Sequence, residues 1–346
     1  MKIVMIADLI LGGEGRHALG LSEELKRQGH DVEIISFEKG QDSLPYFNLF
    51  LSYKVLLSKK ALFRLLEEKN PDIIHMHLPF STMDFLVEEI KRKTKKPVVC
   101  TIHLSPGGRS IIDSVVTLYL KKLSPSLKHS DKIICVSKFV KTHLKRISGI
   151  SEKKLLVIPN GVDVHKFRPQ ANKSRDFRML FVGRLSPEKG LSLLFKSFGR
   201  LGEGKLCVIG DGPLKSKCIR EAVKNKRVEF LGRVNDEALI DNYSSASVVV
   251  VPSTWQEAFG MVSIEAMACG TPPLAFAVGG IPEVIDDGCD GFLVKKQTPE
   301  ALSRRINEAR ASDLVRIGKN GRKKVLRMYD WKIIAKETLK VYQSLA

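Results

Sequence analysis

A chain of 346 residues exceeds one ordinary core and, at about 150 residues per domain, implies two domains. With 43% hydrophobic and 27% charged residues it is neither disordered, collagen-like nor a coiled coil, and no apolar run approaches the roughly 20 residues that cross a bilayer. Lys plus Arg number 57 against 38 Asp plus Glu, a formal +19 that draws nucleic acid, anionic membrane or a phosphorylated substrate; both halves carry the excess, so it is not a dedicated tail.

The chain opens on Met1 to Leu11, a lysine and an apolar stretch resembling an export signal. Asp8 interrupts that stretch, and Gly12-Gly13-Glu14-Gly15 stands where a cleavage site belongs. A buried first strand, Ile3 to Ala7, is the expectation. Ala18, Leu21 and Leu25 then recur at helical spacing until Gly29-His30, and Val32 to Ser36 is the second strand. Ile73 to His77, Val98 to His103 and Lys132 to Val136 read as short buried strands, each handing over to a polar or glycine-containing loop. Strands alternating with helices specify parallel β-α-β units, hence a doubly wound α/β layer.

Pro159-Asn160-Gly161 and Arg168-Pro169 punctuate the chain ahead of a polar stretch, which places a domain boundary between residues 165 and 166. A second α/β layer follows, with strands Met179 to Val182, Lys205 to Ile209, Val228 to Phe230, Val248 to Val251 and Pro273 to Phe276. Two facing layers would enclose a cleft at the carboxyl ends of their strands, where open α/β sheets bind ligands. The six cysteines lack C-x-x-C spacing and several lie in apolar runs, which fits reduced thiols, a cytoplasmic location and no cysteine zinc site.

The densest motif is PSTWQEAFGMVSIEAMACGTPPLAFAVGG, Pro252 to Gly280. A strand ends at Val251, a loop carries Glu257 and Phe259-Gly260, and a short helix runs to Gly270. Amides at Gly260, Met261 and Val262 can receive an anionic or hydroxyl-rich ligand, while Glu257 and Glu265 can each accept from paired sugar hydroxyls. After the strand Met179 to Val182, Gly183-Arg184 and Lys189-Gly190 bring two cations to the sheet's carboxyl end, suited to a diphosphate. The spacing is not that of a Walker A loop. Gly12-Gly13 and Gly210-Asp211-Gly212 are glycine turns with little specificity by themselves.

Together these residues resemble a GT-B glycosyltransferase of the retaining group called group 1 or glycosyltransferase family 4, over nearly the whole length. The resemblance rests on Gly12-Gly13, Ile73-Ile74-His75-Met76-His77, Cys135-Val136-Ser137, Pro159 to Asp163, Gly183-Arg184 with Lys189-Gly190, Gly210 to Pro213 and Phe230 to Arg233 in the family's order, and above all on Glu257-x7-Glu265 followed by Gly279 to Glu283. It implies two facing Rossmann-like doubly wound domains with an interdomain cleft: an acceptor domain, residues 1–165, to which a C-terminal helix of about 331–346 packs back, and a donor domain, residues 166–330. It also implies transfer of a hexosyl group from a nucleotide-diphosphate sugar, a UDP-sugar first and GDP-mannose next, to a hydroxyl of a sugar, glycan or lipid.

By that resemblance His103, Arg184, Lys189 and Glu257 are the catalytic residues. Glu257 binds donor-sugar hydroxyls, Arg184 and Lys189 grip the diphosphate, and His103 reaches the sugar from the first domain. Gly12, Gly13, Gly183, Phe259, Gly260, Met261 and Val262 line the donor, Glu265 takes the ribose, and the backbone near Arg233 and Val234 meets the base. No cofactor and no metal is expected: the chain contains no Asp-x-Asp, and the two cations serve where the GT-A transferases use a divalent ion. His75 and His77 read as packing residues and Trp331 as an anchor for the last helix. Ala258 and Pro273 depart from the family's usual Gly and Val without removing a reactive side chain.

Basic and apolar residues mix in Tyr46 to Arg64 and Lys91 to Lys96, which suggests peripheral contact with an anionic membrane at its inner face, against the plainer reading of lysines snorkelling from sheet-covering helices. Two rival functions stand beside transfer: a nucleotide-sugar epimerase or hydrolase on the same fold, and a nucleic-acid-binding protein. The second lacks any RNA-binding signature, and at 7% aromatics any basic patch with interleaved rings, so no nucleic-acid partner is expected.

Overall fold

The computed structural model describes residues 1–7, 13–37, 42–48, 53–78, 81–104, 111–170 and 176–345. The chain divides into two compact units, Met1–Gly161 with Trp331–Ala346, and Val162–Asp330.

In the first unit the order is β1 (Lys2–Ala7), α1 (Gly13–Arg27), β2 (Asp31–Ser36), β3 (Tyr46–Asn48), β4 (Lys54–Leu56), α2 (Lys59–Lys69), β5 (Ile73–Leu78), α3 (Val87–Thr94), β6 (Val98–Ile102), α4 (Ile111–Leu127), β7 (Lys132–Cys135), α5 (Lys138–Ser148) and β8 (Leu155–Val157). Six strands form a parallel sheet in the order β2-β1-β5-β6-β7-β8, and β3 pairs with β4 in a small antiparallel ribbon. Every residue of β5 and β6 is buried. A parallel sheet covered on both faces demands such continuous apolar runs. His75, His77 and Thr101 are the polar exceptions within them.

The second unit comprises β9 (Arg178–Val182), α6 (Leu191–Phe198), β10 (Lys205–Ile209), α7 (Lys215–Lys224), β11 (Val228–Gly232), α8 (Asp236–Ser245), β12 (Val248–Val251), α9 (Met261–Ala268), β13 (Pro273–Phe276), α10 (Ile281–Val284), β14 (Phe292–Val294), α11 (Pro299–Arg310) and α12 (Leu314–Met328). Its parallel sheet runs β11-β10-β9-β12-β13-β14, the Rossmann order 3-2-1-4-5-6. The strand order reverses between β9 and β12 here, and between β1 and β5 in the first unit. At such a reversal the loops leaving two neighbouring strands diverge to opposite faces, opening a crevice at their carboxyl ends.

The last helix, α13 (Trp331–Gln343), belongs to the first unit. Trp331, Ile334, Ala335, Val341 and Tyr342 join Ile3, Met5, Leu21 and Leu25 in one core cluster. The Trp331 indole lies flat against Gly20 and Gly161, where an added methyl would come within 2.3 and 2.5 Å of the ring. The anchor expected of Trp331 is thus a slot on its own unit's core. Further along the helix, the Tyr342 hydroxyl meets His75 Nδ1 at 2.6 Å, and His75 Nε2 meets Thr101 Oγ1 at 2.7 Å. Tyr342→Phe leaves that buried ring nitrogen unpartnered and is expected to destabilise the first unit by about 1–3 kcal/mol. Urea unfolding followed by near-UV dichroism checks it; an unchanged midpoint would show that the bond contributes nothing net.

Candidate active site

In the second unit, the loops at the strand-order reversal are those after β9 and β12, the two stretches that carry Lys189 and Glu257. Close backbone contacts hold them together. Gly190 sits at φ +71°, and a Cβ there would lie 1.7 Å from the Pro252 carbonyl oxygen. The Thr254 amide donates to the Glu188 carbonyl at 2.9 Å. On its other side the Glu257 loop rests on Gly279, at φ +56°, whose Cβ would lie 2.0 Å from the Glu257 carbonyl oxygen; the Gly280 amide donates to that oxygen at 2.8 Å. Only glycine permits both approaches.

The Lys189 ammonium donates to Glu257 Oε1 at 2.6 Å, and the Ser253 hydroxyl donates to the same oxygen at 2.6 Å. Lys189 Nζ also stands 5.2 Å from the centre of the Trp255 ring. The side chains are 25% and 15% exposed, so the pair is sheltered yet reachable. Burial pushes the Glu257 carboxyl up, but the Lys189 charge and the bonds from Lys189 and Ser253 outweigh it, and its pKa ends below the usual carboxylate value. A depressed folded-state value contributes stability that is complete above the unfolded carboxylate range and disappears as pH falls through the folded value. Urea unfolding across pH 3–6 (about the carboxylate range) is therefore expected to show a shallower acid-side loss for Glu257→Gln than for the parent protein. Equal slopes would contradict the linkage.

Chemically, the pair is a cation held ready for an anion. One of the three ammonium donors goes to Glu257, and a lysine offers the other two to oxygens of an incoming phosphate. Arg184 is exposed, and its guanidinium makes no hydrogen bond or ion pair among the described residues. It follows Gly183 directly after β9. Gly260, at φ +115°, turns the chain into α9, whose first residues Met261 and Val262 are half-buried. Phe259 is buried edge-on against Tyr329, at 5.6 Å between centroids, so its ring serves packing and its backbone shapes the loop. Glu265 is 4% exposed and its Oε2 accepts from the Tyr243 hydroxyl at 2.8 Å. Arg233 is exposed and Val234 half-buried in the turn between β11 and α8.

At the first unit's own reversal the structure assembles histidines. His103, just beyond β6, has Nε2 at 3.1 Å from His77 Nδ1, and His17 of α1 packs its ring 5.0 Å from His103 and 5.4 Å from His77. Burial lowers the pKa of all of these, that of His17 to about 4, and with it that of His75 to about 3. Gly13 is the first residue of α1, and Gly12 lies outside the described residues. Sequence reasoning missed Ser253, Trp255, Tyr243 and His17. Ser253 and Trp255 were within reach, standing between the end of β12 and Glu257. Tyr243 and His17 lie on helices with no motif to mark them.

The sequence matches the profile of glycosyl transferases group 1 over residues 163–324 and that of Glycosyltransferase Family 4 over residues 11–166. It is 32% identical to an uncharacterised glycosyltransferase of Methanocaldococcus jannaschii, across 99% of this chain and 98% of that one. It is 27% identical to the phosphatidyl-myo-inositol mannosyltransferase of Mycobacterium tuberculosis, across 100% of this chain and 97% of the relative. Among solved structures, Anabaena HepE in complex with UDP-glucose shares the fold, with a TM-score of 0.82 at 19% identity and full coverage of both chains.

Proposed function

Because this chain belongs to the group 1 glycosyl transferases of Glycosyltransferase Family 4, enzymes that transfer sugars, we propose that it moves a hexosyl group from a nucleotide-diphosphate sugar to an acceptor hydroxyl with retention at the anomeric carbon. The observation that carries the reading is the Lys189–Glu257 pair at the strand-order reversal of the second unit. A UDP-sugar is the first candidate, supported by the UDP-glucose held by the Anabaena relative; GDP-mannose is next, in keeping with the mannosyl transfer named for the mycobacterial one.

In this reading Lys189 and Arg184 neutralise the diphosphate as its bond to the anomeric carbon breaks, so the developing charge meets fixed cations and no metal is required. Glu257 accepts from donor-sugar hydroxyls, Glu265 from the ribose, and the Gly260, Met261 and Val262 backbone receives the phosphates. Gly183 allows close backbone approach, Phe259 shapes that wall, and the turn at Arg233 and Val234 meets the base; Gly12 and Gly13 are assigned to the donor by the family resemblance alone. His103 reaches the sugar. The acceptor oxygen bonds to the anomeric carbon on the face the phosphate leaves, and its proton passes to a phosphate oxygen.

Calorimetric titration with UDP, GDP and ADP, with and without EDTA, tests the donor site. Binding of one nucleotide, unchanged by EDTA, supports it and identifies the donor class; binding of none overturns it. Transfer of donor label to an added acceptor, rather than release of free or isomerised sugar, separates a transferase from an epimerase or hydrolase.

For the acceptor we favour a glycan or lipid met in the cytoplasm at an anionic membrane surface. Exposed Lys60 of α2 lies with Lys59 and Lys93, both paired to Glu89, and Arg64, paired to Glu68, around Phe63, over whose ring Lys93 stands at 4.0 Å; the surplus of cations on this face is what an anionic surface would meet. Among the described residues no helix is long and apolar enough to cross a membrane. Lys60→Glu with Arg64→Glu should abolish co-sedimentation with anionic vesicles; retained binding would remove this face from consideration.

A further inference from the structure

We infer that His17, His77 and His103 form a binding site in the first unit for one divalent transition-metal ion of the zinc or cobalt kind, with a fourth position left to water or an anion. One ring nitrogen of each lies within 4.8 Å of one from each of the others. Zinc–nitrogen bonds of about 2.0–2.1 Å in a tetrahedron place two ligand nitrogens roughly 3.3 Å apart. His77 Nδ1 and His103 Nε2 are already separated by 3.1 Å.

The hydrogen bonding around these rings is incomplete. His77 Nε2 is buried without a partner, and buried His17 has only the Asn160 side chain within its reach. Buried polar groups are ordinarily satisfied, and the neutral imidazole is the form of histidine that binds a metal; an ion between the rings would replace the hydrogen bond that His77 Nδ1 and His103 Nε2 now share. His75 is excluded although its ring is 4.3 Å from that of His77, because both of its nitrogens are engaged by Tyr342 and Thr101. It buttresses the site instead. The three ligands come from α1, β5 and the residue just beyond β6, all within one unit, so the site is complete without any other part of the chain.

The mechanism proposed above does not use this ion. His103 is the residue assigned above to the donor sugar, so an ion bound here would withdraw it and inhibit; this consequence alone rests on the proposed function. The binding itself is tested independently of activity.

Chelator-treated protein is titrated with Co²⁺ and then Zn²⁺. The expected result is one equivalent of Co²⁺ with the intense visible bands of tetrahedral coordination, displaced by Zn²⁺. His17→Gln should lower the Zn²⁺ affinity at least about tenfold. Cys289→Ser, which removes the exposed cysteine of the other unit, should leave the affinity unchanged. Zn²⁺ should also shift the imidazole proton resonances of His17, His77 and His103 in the parent protein and spare those of His30, His129, His143 and His165, a readout that does not depend on any variant folding. A pale six-coordinate cobalt spectrum, affinity unaltered by His17→Gln, or resonance shifts confined to the other histidines would each overturn the site.

Discussion

Lys189→Ala is expected to lower kcat for sugar transfer by on the order of 10²–10³, the usual loss when one preorganised donor to a developing anion is removed. The size follows from where the ammonium stands. It is sheltered beside Trp255, fixed by a 2.6 Å bond to Glu257, and held by a loop that cannot retreat from Pro252. A second consequence comes from that bond. Lys189→Ala also leaves a largely buried carboxylate without its counter-charge, which by itself destabilises the loop. The two effects separate in a double-mutant cycle. Glu257→Gln in the Lys189→Ala background relieves the unpaired charge and should restore thermal stability. It should leave transfer impaired, at or below the level of Lys189→Ala, because the cation is still missing and the carboxylate that accepts from the sugar is lost as well. Recovery of transfer along with stability would mean that Lys189 does no more than balance Glu257, and would sink its role at the diphosphate.

Gly190→Ala is expected to cost more than about 3 kcal/mol of stability in the second unit. An alanine must adopt φ +71°, a left-handed conformation disfavoured by about 1–2 kcal/mol. Its methyl would also lie 1.7 Å from a backbone oxygen, and a backbone cannot rotate out of the way as a side-chain tip can. One of the two loops must therefore move. At roughly 2–4 °C per kcal/mol for a body of this size, the melting transition of that unit falls by about 6–12 °C or more. Gly202→Ala is the control: Gly202 has no atom within 4 Å of its added Cβ, and the change should stay within about 0.5 kcal/mol. Calorimetric scans of both variants decide the matter, and a Gly190→Ala transition coincident with that of Gly202→Ala would show that the contact is relaxed in solution. Because the same displacement carries Lys189 away from Glu257, transfer should fall in Gly190→Ala even at temperatures where the protein remains folded.

Much of the architecture was legible before any coordinates. The strands read at Ile3 to Ala7, Ile73 to His77, Met179 to Val182, Lys205 to Ile209 and Val248 to Val251 all stand in the two parallel sheets. A strand covered on both faces must be apolar throughout, and that signal survives in a single sequence. The three-residue strands β8 and β14 and the β3–β4 ribbon escaped notice. Runs that short carry no period, and only pairing with a neighbouring strand defines them.

By itself, then, the sequence determined the alternation of strand and helix, the two-layer organisation, and the loops in which reactive side chains would lie. Hydrophobic patterning and turn chemistry act over neighbouring residues, so a linear reading can follow them. What the tertiary structure decided is which of those side chains meet. Lys189 and Glu257 are 68 residues apart and become partners only because β9 and β12 are neighbours in the sheet. His17, His77 and His103 converge because β1, β5 and β6 lie side by side, and His75, two residues from His77, is set apart by a hydroxyl from the far end of the chain. Strand order arises from closing long loops and burying whole sheets, a global balance that no local stretch of sequence encodes.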